Sequence, residues 1–208
     1  ATCSLAVLDI ITSSMSSIVP FRALRPTQGA ASAVAAVPYD VVSRDEAQAL
    51  AGDNPLSFLH VSRAEIDLPP ETDPHADIVY AKAAEKFSAL RERAPLVLED
   101  TPSLYVYRLR MGEHTQTGIA GCFSVAEYDG DLIKKHERTR PAKENDRTRH
   151  IIELRAQTGP VFLIHAASPE VAAIVARATG AGTAPLCDVT AVDGVRHTLW
   201  RVDEESQR

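Results

Sequence analysis

The stretch from Lys134 to Arg155, KKHERTRPAKENDRTRHIIELR, holds the residue types from which anion chemistry is built. It sets eight Lys and Arg against four acids, a net charge of +4, in a chain whose total is −6. The rest of the chain therefore carries −10. A basic island in an acidic protein suits a local anion site better than a surface for a long polyanion. Arg147 can clamp two phosphate oxygens through its planar fork, and Lys143 adds a point charge. Thr139 can donate a hydroxyl hydrogen bond, and Arg140 is a further cation. Proton transfer at the same spot needs an imidazole or a carboxylate. His136, Glu137 and Asp146 are the candidates, with Glu137 or Asp146 as base or as oxygen ligand to a metal of unspecified identity. The plainer alternative is a solvated charged loop and helix face, or a structural element paired with acids such as Glu127 or Asp129.

Positioning these groups requires a particular local structure. Pro141 interrupts a helix, and apolar periodicity resumes at Ile151, so the spacing predicts a helix from about Asn145, which caps it. Its first backbone N–H groups, with Lys143 and Arg147, would converge on one phosphate. Tyr39 and Asp40, after Pro38, stand at a turn before another helix and are further site candidates, a turn-forming role being the simpler one. Ser43 and Glu46 form a capping box opening that helix, which ends near Gly52. Residues 57–62, SFLHVS, read as a strand. Asp73 and Pro74 suit the N-cap and first position of a helix running to about Arg93, with Val79, Ala83, Phe87 and Leu90 on one face.

Residues 104–111 and 115–125 alternate as a hairpin, with Tyr105, Tyr107, Leu109 and Met111 expected toward the core. PVFLIHA (160–166) reads as a strand, and Ser168-Pro169-Glu170 opens a helix ending at Gly180. A second hairpin turns at Asp193-Gly194 in an expected type I′ turn. Hairpins interleaved with helices predict an α+β fold: a mixed, largely antiparallel sheet with three to four packed helices.

The length of 208 residues fits one domain. Residues 1–17 are expected to be a variable extension, because no basic residue precedes the apolar stretch and Asp9 interrupts it, unlike a signal peptide. Residues 18–208 are expected to form one α+β domain. No apolar run reaches membrane-spanning length, and the cytoplasm is the expected compartment. Aromatic residues make up 5%, which argues against a base-stacking platform. The isoelectric point near 5.6 argues against nucleic acid as a partner. Cys3, Cys122 and Cys187 are too scattered for a metal site and read as reduced thiols. His60, His75, His114, His165 and His197 likewise lack ligand spacing. There is no P-loop, GxGxxG, GxSxG or HExxH pattern.

In order along the chain, PFRALRP, AAVPYDVVS, NPLSFLHVSRAEIDLP, LYVYRLRM, IKKHERTRPAKENDR and TGPVFLI resemble the domain-of-unknown-function 1015 family, from about Pro20 to Val202. The most specific element is His136, Glu137, Thr139, Lys143, Asp146 and Arg147. The resemblance implies that this chain is the N-terminal half of a longer architecture. The missing C-terminal half carries a DGHHR-type element similar to ParB-like proteins and free-serine kinases. By that similarity it implies a phosphotransferase, or half of one, acting on a serine-type hydroxyl with ATP or ADP and Mg2+. The expected partner is a small phosphorylated ligand or nucleotide. Two other functions stay open: a non-catalytic nucleotide- or nucleic-acid-binding regulatory module, and a structural domain with no ligand of its own.

Overall fold

The computed structural model describes residues 16–135 and 139–202. In chain order the elements are β1 (Ile18–Val19), β2 (Leu24–Pro26), α1 (Gln28–Val34), α2 (Arg44–Ala51) and α3 (Leu59–Ser62). A 3-10 turn (Ala64–Asp67) precedes α4 (Asp77–Arg93). Then come β3 (Leu96–Leu98), β4 (Tyr105–Met111), β5 (His114–Ala120), β6 (Cys122–Phe123), α5 (Val125–Asp129), α6 (Pro141–Leu154), α7 (Pro169–Ala178), β7 (Cys187–Thr190) and β8 (Arg196–Arg201). Helices and antiparallel sheets make this a mixed α+β fold, as the sequence predicts. The contacts divide the chain into two compact units.

The first unit comprises residues 33–95 and 139–162 and is helical. Ser43 caps α2 by accepting from the Glu46 N–H, and Glu46 returns a bond to the Ser43 N–H, which completes the expected capping box. Ala47, Ala51, Leu59 and Ile66 form a buried cluster joined by Ala36, Val37 and Val42. Along α4, Val79, Ala83, Phe87 and Leu90 are buried at helical spacing, and α3 and α6 pack against this helix. Burying such a stripe, rather than intrinsic propensity, supplies most of a helix's stability.

The second unit comprises residues 16–32, 96–135 and 163–202. Its four-stranded antiparallel sheet runs β5-β4-β8-β7, with two-stranded β1-β6 and β2-β3 pairs beside it in the chain's topology. Val106 stands opposite Trp200 and packs with Leu104, Ala178 and Val202. The guanidinium of Arg108 lies 4.9 Å from the Trp200 ring centroid. The buried Glu99 carboxylate takes Arg25 at 2.6 Å and Arg201 at 3.1 Å, so its charge is fully matched. Cys122 and Cys187 are free thiols.

Several elements differ from expectation. Residues 59–62 of SFLHVS form a helical turn, burying Leu59 and Val61 together, because so short an apolar run fits either geometry. Residues 160–166 pair with no strand among the described residues. Asp73 accepts from the His75 N–H in a turn, and α4 starts only at Asp77. On β4 the sheet core takes Val106, between the residues expected to supply it. Tyr105 is also buried, but Met111 is 62% exposed. The loop of the second hairpin has three residues, closed by Ala191 and Val195, and only Gly194 has positive φ, at 79°. A type I′ turn would require positive φ at Asp193 as well.

Candidate anion site in the helical unit

α6 begins at Pro141, four residues before the expected start. Pro141 opens the helix rather than interrupting it, since the first helical position has no intrahelical donor to lose. The N–H groups of Lys143 and Glu144 both bond to the Arg140 carbonyl. Asn145 therefore lies within the helix, and no free backbone amides stand there to receive a phosphate. What the helix supplies instead is a face. Lys143, Arg147, His150 and Leu154 recur at helical spacing, Lys143 exposed, Arg147 half-buried and the last two buried.

That face borders a cavity of about 240 Å³ lined by Tyr39, Arg63, Glu65, His75, Tyr80, Lys143, Asp146, Arg147 and His150 among others. Both cations point at one aromatic ring. The Arg147 guanidinium sits 3.8 Å from the Tyr39 centroid, and Lys143 Nζ sits 5.8 Å from it. Stacking on a tyrosine face fixes the plane of a guanidinium and leaves its edges available for hydrogen bonds. One edge is taken: Arg147 Nε and Nη2 donate to Asp146 Oδ2 at 3.0 and 2.7 Å. The hydroxyl of Tyr80 donates to Asp146 Oδ1 at 2.7 Å, and His75 Nδ1 lies 3.6 Å from the same oxygen. The guanidinium of Arg149 covers Tyr80 at 4.2 Å and pairs with Asp77 at 2.7 Å.

Lys143 differs from both arginines. Among the described residues it has no carboxylate partner, and it is exposed. The cavity wall carries Arg63, Lys143 and Arg147 against Glu65 and Asp146, a formal excess of one positive charge before its histidines are counted. Burial alone would raise the Asp146 carboxyl. The Tyr80 hydroxyl, the Arg147 guanidinium and His75 outweigh burial and hold it below the usual carboxylate range. Tyr80 is pushed up to about 12, first by burial and then by its bond to Asp146. Burial also raises Tyr39, against the pull of Arg147. His150 is lowered by burial and by Arg147; its Nε2 donates to the Val61 carbonyl at 3.0 Å.

Of the residues singled out from sequence, Tyr39, Lys143, Asp146 and Arg147 meet at this cavity. Thr139 lies outside its lining and donates to Glu144 at 2.9 Å. Arg140 caps α6, and Asp40 is exposed; neither lines the cavity. His136 and Glu137 lie outside the described residues. The sequence reasoning missed Arg63, Glu65, His75 and Tyr80. A buried tyrosine beside Val79 on a helix that must pack, and a carboxylate within the apolar run around Ile66, were the available signals. Among the described residues no three His, Cys, Asp or Glu are grouped to hold a metal ion, and Glu127 is taken by Ser16 and Ser17.

The family model described as "Protein of unknown function (DUF1015)" matches residues 18–208. The chain belongs to the DUF1015 family. No curated protein and no solved structure matches it. Within this DUF1015 chain, no helix among the described residues is long and apolar enough to cross a membrane. The site therefore has to be interpreted from its own chemistry.

Proposed function

We propose that the cavity beside α6 binds the phosphate group of a small ligand, and that the chain is a phosphotransferase of small hydroxylated molecules or half of one. The observation that carries the binding is the convergence of Lys143 and Arg147 on one cavity, with Lys143 unmatched by any carboxylate among the described residues. Phosphoryl transfer asks chiefly for positioning and charge neutralisation, which such a wall supplies. A volume near 240 Å³ falls below the roughly 300–1,000 Å³ of pockets for drug-sized ligands. It suits a phosphate-sized group or a compact metabolite, and of ATP or ADP only the phosphate end. Mg2+ arriving on nucleotide phosphates needs only one or two protein carboxylates, and the wall offers Asp146, whose carboxyl is held below the usual range. Transfer itself rests on the similarity to free-serine kinases expected of the family's C-terminal half.

One observation favours a second reading, a purely structural role: Arg147 and Arg149 are each already stacked and paired. Calorimetric titration with inorganic phosphate and pyrophosphate separates the two. Phosphate binding predicts that Lys143→Ala weakens affinity about tenfold to a hundredfold, the value of a charge-assisted hydrogen bond. Equal affinity in Lys143→Ala and wild type, or no binding in either, favours the structural role.

A further inference from the structure

The four-stranded sheet of the second unit has two edges, β5 and β7, and they are finished differently. In an antiparallel ladder alternate residues bond to one neighbouring strand and the rest face the other way. The Val202 N–H bonds to the Leu104 carbonyl at 2.9 Å, which sets the even-numbered residues of β4 toward β8. The odd-numbered ones, from Met111 opposite His114 onward, then bond to the even-numbered residues of β5. Thr115, Thr117 and Ile119 therefore aim their backbone N–H and C=O groups out of the sheet. None of those groups has a partner among the described residues. On β7 the outward residue at mid-strand is Asp188, and there the edge is plugged. The Asp188 N–H donates to Gln28 Oε1 at 2.8 Å, and Gln28 Nε2 donates to the Asp188 carbonyl at 3.0 Å.

An open edge is a template for another strand, and proteins ordinarily blunt it with Lys, Pro, a bulge or extreme shortness. β5 uses none of these devices. HTQTGIA is seven residues long, holds an unbroken register with β4, and contains no Lys, Arg, Asp, Glu or Pro. We propose that β5 is the docking edge for β5 of a second copy, antiparallel about a two-fold axis, joining two four-stranded sheets into one. The strand's own sequence suits self-pairing. With the axis at Thr117, Thr117 meets its own counterpart, Thr115 meets Ile119 and Gln116 meets Gly118, so no like charges stand opposite each other. Arg108, directly opposite Thr117 on β4, is the cation nearest that axis. The two Arg108 backbones would lie three strand spacings apart, about 14 Å, beyond the screening length of about 8 Å at physiological salt. The plug on β7 completes the arrangement. Pairing of β5 with β7 of another copy would run head-to-tail and open-ended. Gln28 closes that route, so assembly stops at two. This surface is independent of the anion site.

The test is sedimentation of the intact chain across a concentration series, because one strand pair is a smaller contact than the roughly 1,200 Å² of standard interfaces and gives a weak dimer. Wild type is expected to pass from monomer to dimer at concentrations up to about 1 mM. Thr115→Pro deletes one outward N–H and leaves the bonds to β4 in place, and Thr115→Lys installs the usual edge guard. Each is expected to raise the dimer dissociation constant about tenfold or more, with the far-ultraviolet circular dichroism of wild type. Hydrogen exchange locates the contact. The amides of Thr115, Thr117 and Ile119 should slow as the dimer forms, while that of Asp188 is slow throughout. Should Thr115→Pro fail to fold, Thr115→Lys, which keeps every backbone N–H, decides. A wild type still monomeric at about 1 mM overturns the proposal, including one whose β5 amides slow only beside an extended segment of another protein. A dimer that Thr115→Lys leaves unchanged, or one in which the three outward amides stay fast, overturns it as well.

Discussion

Replacing Arg147 with alanine removes three contacts at once. Two are the hydrogen bonds to Asp146, at 3.0 and 2.7 Å, between side chains 28% and 13% exposed. The third is the stack on Tyr39. A hydrogen bond to a charged partner contributes about 1.5–3 kcal/mol, and a cation–π contact about 0.5–2 kcal/mol. Asp146 keeps the Tyr80 hydroxyl and some solvent, so the loss stays below the roughly 3–5 kcal/mol of stripping a fully buried carboxylate. Arg147→Ala should therefore destabilise the fold by about 2–4 kcal/mol, read from urea unfolding. Lys143→Ala, which breaks no ion pair among the described residues, should stay within about 0.5 kcal/mol of wild type. A double-mutant cycle of Arg147→Ala with Asp146→Asn should show a coupling of about 1–2 kcal/mol. Arg147→Ala within 0.5 kcal/mol of wild type, by the measurement limit of about that size, or zero coupling in the cycle, would refute the clamped arrangement. Loss of ligand affinity in Arg147→Ala must accordingly be compared at matched folded fraction.

Two further outcomes follow from packing and titration. Burial lowers His150 and His197 below the ordinary value of 6.5, so the folded chain resists protonation while the unfolded chain takes up protons near that value. Their contribution is complete above pH 6.5 and is lost as pH falls toward the folded-state values; His150→Gln should flatten part of the decline in a melting-temperature series across pH 5–7.5. A Cβ on Gly121 would lie 2.5 Å from Ile18 Cγ1 and 2.8 Å from Leu104 Cδ2, so Gly121→Ala should cost about 1–3 kcal/mol by overpacking, checked by thermal unfolding.

How much of this was legible follows from which interactions are local. The Ser43 capping box, the α4 stripe and the two hairpins depend on neighbours in sequence, and each stands where the residues predict. The start of α6 was misplaced because a proline has opposite meanings inside a helix and at its first position. On β4 the alternation favours the Tyr105 row, because the Val106 face also carries Arg108 and Arg110; the core took that face because Val106 packs with Leu104, Trp200 and Val202 and the Arg108 guanidinium stacks on Trp200, partners that no local period reveals. At the site, Lys143, Asp146 and Arg147 are legible because one helix carries them. Tyr80 meets Asp146 across 66 residues, and only packing of α4 on α6 brings them together. Glu65 announces itself by burial, a property no spacing encodes.

The central claim is that the wall formed by Lys143 and Arg147 receives an oxyanion. Crystals grown with pyrophosphate test it most directly. The account predicts density for the anion inside the cavity beside α6, within hydrogen-bond distance of Lys143 Nζ and a guanidinium nitrogen of Arg147, and its disappearance in Lys143→Ala crystals. Density at another surface only, or an unchanged anion in Lys143→Ala, would contradict it.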